Sequence, residues 1–136
     1  MPKKTILVVE DNLVEQQVVS ALATRFGMQA EVVPTGFKAL EKLSAARSQY
    51  SAVLMNFVLP VMDGPECAQR IREYELSLSV TAEERLPIIA VTALVAEGAR
   101  EQCLNAGMDD YLPKPYSLDQ FRAVIERWVS LSELGN

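Results

Sequence analysis

Four polar stretches, each closing an apolar run, hold the side chains in this 136-residue chain that could do chemistry. Glu10 and Asp11 follow Thr5-Ile6-Leu7-Val8-Val9, Asn56 closes Ala52-Val53-Leu54-Met55, Thr92 follows Ile88-Ile89-Ala90-Val91, and Lys114 comes just after Tyr111-Leu112-Pro113. Adjacent carboxylates at the exit of a buried strand repel each other and lose hydration, a situation that a divalent cation relieves. A hydroxyl and an ammonium beside them are the donors that phosphoryl transfer uses to stabilise its equatorial oxygens. The nucleophile is missing. A carboxamide oxygen is uncharged and the nitrogen lone pair is delocalised, so Asn56 cannot form an acyl phosphate. Plainer roles also fit each residue. Glu10 and Asp11 can cap the next helix, together with or instead of holding a cation. Asn56 can start a turn, Thr92 can be a β-branched strand residue, Lys114 a solvated loop charge and Tyr111 a half-buried aromatic.

The elements that would position these residues alternate along the chain. Apolar, β-branched runs at 5–9, 30–33, 52–56 and 88–91, with a short one at 110–112, are expected to be strands covered on both faces. Between them the spacing predicts helices over 12–25, with Leu13, Val14, Val18, Val19 and Leu22 inward, and from Thr35-Gly36 to 45, with Phe37, Leu40 and Leu43 inward. Further helices are expected over 65–76, 96–106 and 118–131, the last with Phe121, Val124, Ile125, Trp128 and Val129 on one side. Pro65 suits a first helical turn, Gly27 and Gly107 suit helix ends, and residues 77–85 read as a loop or ragged helix end. Five strand–helix alternations argue a doubly wound α/β fold, one five-stranded parallel sheet with five helices on its two faces. Ligands of such sheets bind beyond the carboxyl ends of the strands, where the polar stretches lie.

Composition narrows the classes. The length is that of one domain, taken as 1–136 with a core of about 4–131, and 49% hydrophobic residues suit a globular core. A net charge of −5 without a basic cluster argues against nucleic acid or anionic membrane as partner. Cys67 and Cys103 lack metal-ligand spacing, the chain has no His, and both read as small core residues of a reducing compartment. No apolar run reaches the ~20 residues of a membrane span. A cytoplasmic location is expected, alone or as the cytoplasmic part of a membrane-bound protein. The turn Glu10-Asp11-Asn12-Leu13 has no Gly, which argues against a dinucleotide-binding fingerprint.

Val9-Glu10-Asp11-Asn12, the stretch Leu54-Met55-Asn56-Phe57-Val58-Leu59-Pro60-Val61-Met62-Asp63-Gly64, Val91-Thr92-Ala93 and the string Gly107 to Pro115 together resemble the receiver domain of response regulators. The style is that of receivers in hybrid sensor histidine kinases. The resemblance implies a flavodoxin-like sheet in the order 2-1-3-4-5 and a role in two-component phosphorelay. It implies Mg2+ held by Glu10, Asp11, the side chain at 56 and the backbone carbonyl of Val58. Thr92 would contact a phosphoryl group and shift on activation, Lys114 would pair with it, Tyr111 would follow Thr92, and the Lys114–Pro115 bond would be cis. A histidine kinase, a histidine phosphotransfer domain or other domains of the same chain would be the partners. They would dock either on the first helix near 12–19, or on the face made by helix 96–106, strand 110–112 and the last helix.

Asn56 departs from the pattern, standing where the family has its phosphate-accepting Asp. Mg2+ binding is therefore expected to be weak or absent. The chain reads as a natural receiver that works by protein interaction and is not an enzyme. The alternatives are a phosphate-accepting receiver blocked by an Asp→Asn substitution and, further off, a Mg2+-dependent phosphoryl-transfer enzyme.

Overall fold

The structure is a computed structural model that describes residues 4–93 and 98–129. Strands β1 (Thr5–Val9), β2 (Gln29–Val33), β3 (Tyr50–Asn56), β4 (Ile88–Thr92) and β5 (Asp110–Pro113) alternate with helices α1 (Leu13–Arg25), α2 (Gly36–Ala46), α3 (Gly64–Ser77), α4 (Ala99–Asn105) and α5 (Leu118–Trp128). The strands form one parallel sheet in the order β2-β1-β3-β4-β5, as expected.

Alternation along each strand divides the core into two halves. Leu7, Val9, Val53, Met55, Ile88 and Ala90 face one way and meet Ala39 and Leu43 of α2, Ile71 of α3 and Cys103 of α4. Ile6, Val8, Leu54, Ile89 and Val91 face the other way and meet Val19 and Ala23 of α1 and Phe121, Val124 and Ile125 of α5. Both faces being covered is why β1, β3 and β4 are written as continuous apolar runs. Cys67 and Cys103 are free and buried. Among the described residues no helix is long and apolar enough to cross a membrane.

Side chains start and stop the helices. Asn12, Thr35, Asp63 and Ser117 each accept a hydrogen bond from the backbone N–H three residues on, and Ser117 with Gln120 completes a reciprocal capping box. Gly27 and Gly107 take the positive φ, 77° and 96°, at which the chain leaves α1 and α4.

Two inward faces differ from expectation. Leu13, Val14 and Val18 are 73%, 67% and 48% exposed, whereas Val19 is buried and Leu22 packs against the core as expected, and Ala23 joins them. The helix begins beyond the carboxyl end of β1, so its first turn has no sheet beneath it. Phe37 is exposed as well, because the inward stripe of α2 runs Gly36, Ala39, Leu43 and Phe37 lies about 100° around the helix from Gly36. Smaller differences concern element ends. β2 and β3 start one and two residues earlier, a single 3-10 turn occupies Arg47–Gln49, and α5 stops at Trp128, whose indole is partly exposed and donates to Asp110. The expected starts of helix 96–106 and end of helix 118–131 lie outside the described residues.

At the amino ends of β4 and β5 a cluster of ions ties three elements together. The buried Glu75 carboxylate of α3 accepts from Arg47 Nε at 2.9 Å, Arg72 Nη1 at 2.7 Å and the Leu86 N–H at 2.8 Å. Arg72 also donates to the carbonyls of Gly107 and Leu86, both at 2.8 Å, and to Asp109 at 2.7 Å. Asp109 in turn accepts from the Ile88 N–H and from Arg85. Burial by itself would push the Glu75 pKa up, but the Leu86 N–H and the two guanidinium groups outweigh it and hold the carboxyl below its ordinary 4.5.

Glu75→Ala is expected to lower the unfolding free energy by about 3 kcal/mol in urea, because it takes a buried carboxylate from two part-buried guanidinium groups, of which Arg72 alone keeps Asp109, and leaves the buried Leu86 N–H without its acceptor. A group whose folded pKa is depressed stabilises fully above its unfolded value and loses that contribution as pH falls through the folded one. Stability should therefore drop on acidification below about pH 4.5, and less steeply in Glu75→Gln. Gly64→Ala should cost about 2 kcal/mol, since a Cβ there would stand 2.5 Å from the Asn56 carbonyl oxygen and 3.0 Å from Phe57 Cα.

Candidate functional site

The strand register brings the polar stretches level. Val9 lies opposite Met55, Asn56 opposite Val91 and Thr92 opposite Pro113, so the residues that close β1, β3, β4 and β5 meet at one edge. A cleft of about 310 Å3 opens there, lined by Glu10, Asp11, Asn56, Val58, Thr92 and Lys114 among others. Glu10, Asp11, Thr92 and Lys114 are the residues whose types pointed to phosphoryl chemistry, and Asn56 and Val58 stand among them as the resemblance implied. Tyr111 is not among the lining residues; it is half-buried, packed against the core half that holds Cys103 and Met108. The Lys114–Pro115 peptide is cis.

Hydrogen bonds join the cluster. Glu10 is only 5% exposed, and its Oε2 accepts from the Asn12 N–H at 3.0 Å and from Asn56 Nδ2 at 3.1 Å. Asn56 Nδ2 also lies 3.4 Å from Asp11 Oδ1, at the long end of a hydrogen bond. Lys114 Nζ donates to Glu15 Oε2 at 2.5 Å, Glu10 Oε1 at 3.2 Å and Asn56 Oδ1 at 3.3 Å. Gln16 Nε2 donates to the Glu10 carbonyl at 2.7 Å.

Glu15 and Gln16 belong to this network, whereas their sequence places them only on the polar side of a helix. One signal could have found Glu15. Asn12 is the helix cap, so Glu15 is the third helical residue, the position from which a Glu commonly reaches back toward the cap. Here its N–H donates to Asn12 Oδ1 at 3.0 Å while its carboxylate takes Lys114.

The charges settle as a group. Burial, then contact with Glu15, raises the Glu10 pKa against the pull of the Asn12 N–H and Lys114. Burial would also raise Glu15, but its hydrogen bonds with Lys114 and Glu10 bring it below its ordinary value. Lys114 is opposed by burial, yet Glu15 and Glu10 raise its pKa further, so it is an ammonium at neutral pH. The site thus contains a permanent internal cation.

For a hard dication the donor set fits only in part. Glu10, Asp11 and the carbonyl of Val58 are oxygen donors of the type Mg2+ takes. Asn56, however, turns N–H groups and not its oxygen toward the two acids. No three His, Cys, Asp or Glu side chains gather as metal ligands among the described residues. No step through a metal follows from this arrangement.

Beside Lys114 a second cavity of about 400 Å3 opens between α1 and the sheet, with Val18, Val19, Leu54, Val91 and Tyr116 in its lining. Its mouth adjoins the exposed Val18, and hence the apolar first turns of α1.

Comparison with known proteins agrees with these features. The model of the response regulator receiver domain matches residues 6–126. The hybrid signal transduction protein dokA of Dictyostelium discoideum is 36% identical over 135 residues, covering 99% of this chain and 8% of that protein. Histidine kinase 2 of Arabidopsis thaliana is 32% identical, covering 93% of this chain and 12% of the kinase. This chain thus spans a small part of the curated relatives it matches. Among solved structures, the receiver domain of a sensor histidine kinase from Pseudomonas aeruginosa, crystallised with magnesium coordinated in its active site cleft, is 39% identical with a TM-score of 0.77, covering 93% of this chain and 98% of that one. The receiver domain of a Saccharomyces cerevisiae response regulator, solved in complex with a histidine phosphotransfer protein, is 25% identical with a TM-score of 0.82, covering 99% and 94%. With the family model matching most of its length, this chain belongs to the response regulator receiver domains of two-component signalling, and is homologous to those of hybrid histidine kinases.

Proposed function

We propose that this receiver domain takes part in a phosphorelay by binding its partner, without accepting phosphate at residue 56. The observation that carries the reading is the carboxamide of Asn56, set at the end of β3 in contact with Glu10, Asp11 and Lys114, where the reaction needs an anionic oxygen. A Mg2+-dependent phosphoryl-transfer enzyme would need a nucleophilic carboxylate or a general base at that strand end, and Asn56 is neither. With Asp at 56, the same edge would hold Mg2+ on Glu10, Asp11 and the Val58 carbonyl. Thr92 and Lys114 would then meet the phosphoryl oxygens and Tyr111 would follow Thr92.

The partner is a histidine phosphotransfer protein or the corresponding domain of a histidine kinase. Val14 and Val18, one turn apart and both exposed, give α1 an apolar stripe next to the cleft, and Val18 also lines the 400 Å3 cavity. An apolar stripe of that kind, at the rim of a polar site, is a surface for a partner helix. It is also the first of the two faces named from the family resemblance. The domain works in the cytoplasm, alone or within a hybrid kinase.

Incubation with acetyl phosphate or a phosphorylated histidine phosphotransfer protein tests this by intact mass. The chain should gain no phosphoryl group, whereas Asn56→Asp should gain one. Both should bind the phosphotransfer protein, and Val14→Asp should weaken that binding about tenfold or more by placing a charge in the apolar contact. Phosphate on the unsubstituted chain would refute the proposal.

A further inference from the structure

Resting on the phosphate-free reading of residue 56, we infer that the acidic pair is compensated from within the chain: the Asn56 carboxamide points its N–H groups where a dication's ligands would converge, and Glu15 keeps it so oriented by holding Lys114 against its oxygen. A carboxamide has a donor end and an acceptor end, and its orientation follows what stands on each side. On one side are Glu10 Oε2 at 3.1 Å and Asp11 Oδ1 at 3.4 Å, on the other the Lys114 ammonium at 3.3 Å. Both sides select the same orientation. A half-turn of the amide would set N–H against ammonium and carbonyl against two carboxylates, losing each of these bonds and adding repulsion in its place.

Glu15 supplies the anchor. Lys114 has three N–H donors, and the shortest contact, 2.5 Å, is to Glu15 on the first turn of α1. Glu10 and Asn56 take the other two at 3.2 and 3.3 Å. The ammonium is thereby fixed between β5 and α1 with its remaining donors aimed at the site. A carboxylate at 56 would have no donor end, so the arrangement belongs to Asn56 and Glu15 together. For a dication the consequence is competition: it must turn the amide over or displace it before it can use both acids.

Two measurements on metal-stripped protein test this without any phosphate donor, so a failure of the proposed function would leave their outcome unaffected. The first is calorimetric titration with Mg2+ of the unsubstituted chain and of Asn56→Ala, which deletes the amide at constant charge. Competition predicts binding about fivefold or more tighter in Asn56→Ala, the equivalent of one hydrogen bond no longer broken. Equal binding means the amide does not compete, weaker binding that its oxygen is a ligand, and either overturns the inference. The second uses nuclear magnetic resonance to follow the Asn56 side-chain amide protons without metal, and decides the matter even if Asn56→Ala fails to fold. They should exchange slowly in the unsubstituted chain and faster in Glu15→Gln. Fast exchange in the unsubstituted chain, or no effect of Glu15→Gln, overturns the inference.

Discussion

A carboxylate almost removed from water at the end of a strand must find its compensation within the protein, and Glu10 is in that position. It sits 5% exposed at the exit of β1, with Asp11 beside it and Asn56 across the sheet. With Asp at 56, three carboxylates within roughly 4–6 Å would oppose one another by a few kcal/mol at an effective dielectric near 20, before solvent screening, and even two call for compensation. The chain meets this with the Lys114 ammonium, delivered from a strand three places away, and with neutral donors from Asn12 and Asn56. That delivery depends on the parallel register, which sets the ends of β1, β3, β4 and β5 level. Strand order and core packing therefore matter to the site mainly by fixing which charges face one another.

The two ends of the sheet handle charge differently. At the amino ends of β4 and β5, Glu75, Arg72, Arg47 and Asp109 close on one another and on backbone groups, with Glu75 and Asp109 almost wholly covered. That cluster joins α3 to the segments leading into β4 and β5, and so fixes the strands that carry Thr92 and Lys114. At the carboxyl end the charges line an open cleft, bordered by the apolar first turns of α1.

Much of this was legible in the sequence, because a strand buried on both faces is written as an unbroken apolar run and the first polar residue after it marks the edge. Glu10, Asp11, Asn56, Thr92 and Lys114 all follow that rule and meet at one cleft. Glu15 does not follow it: a Glu on a helix surface reads the same whether it is solvated or paired with a lysine 99 residues away. Glu75 was hidden for the same reason. Leu13 and Val14 were misread for a different one, since helical spacing identifies an apolar stripe but not where the sheet beneath it ends, and Phe37 because the inward stripe of α2 begins at Gly36, one residue away. Asn56 could be placed from sequence, whereas which way its amide points required Lys114 and both acids in three dimensions.

If charge compensation at the Glu10 edge governs this site, removing the neutrality of residue 56 must show in stability. Chemical denaturation of the chain and of Asn56→Asp, in EDTA and in millimolar Mg2+, measures it. In EDTA the Asn56 protein should be the more stable by about 1 kcal/mol after screening, because the variant adds a third carboxylate. Mg2+ should narrow or reverse the gap, since it prefers charged oxygen ligands and stabilises what it binds. An Asn56→Asp variant that is the more stable of the two in EDTA would contradict this account.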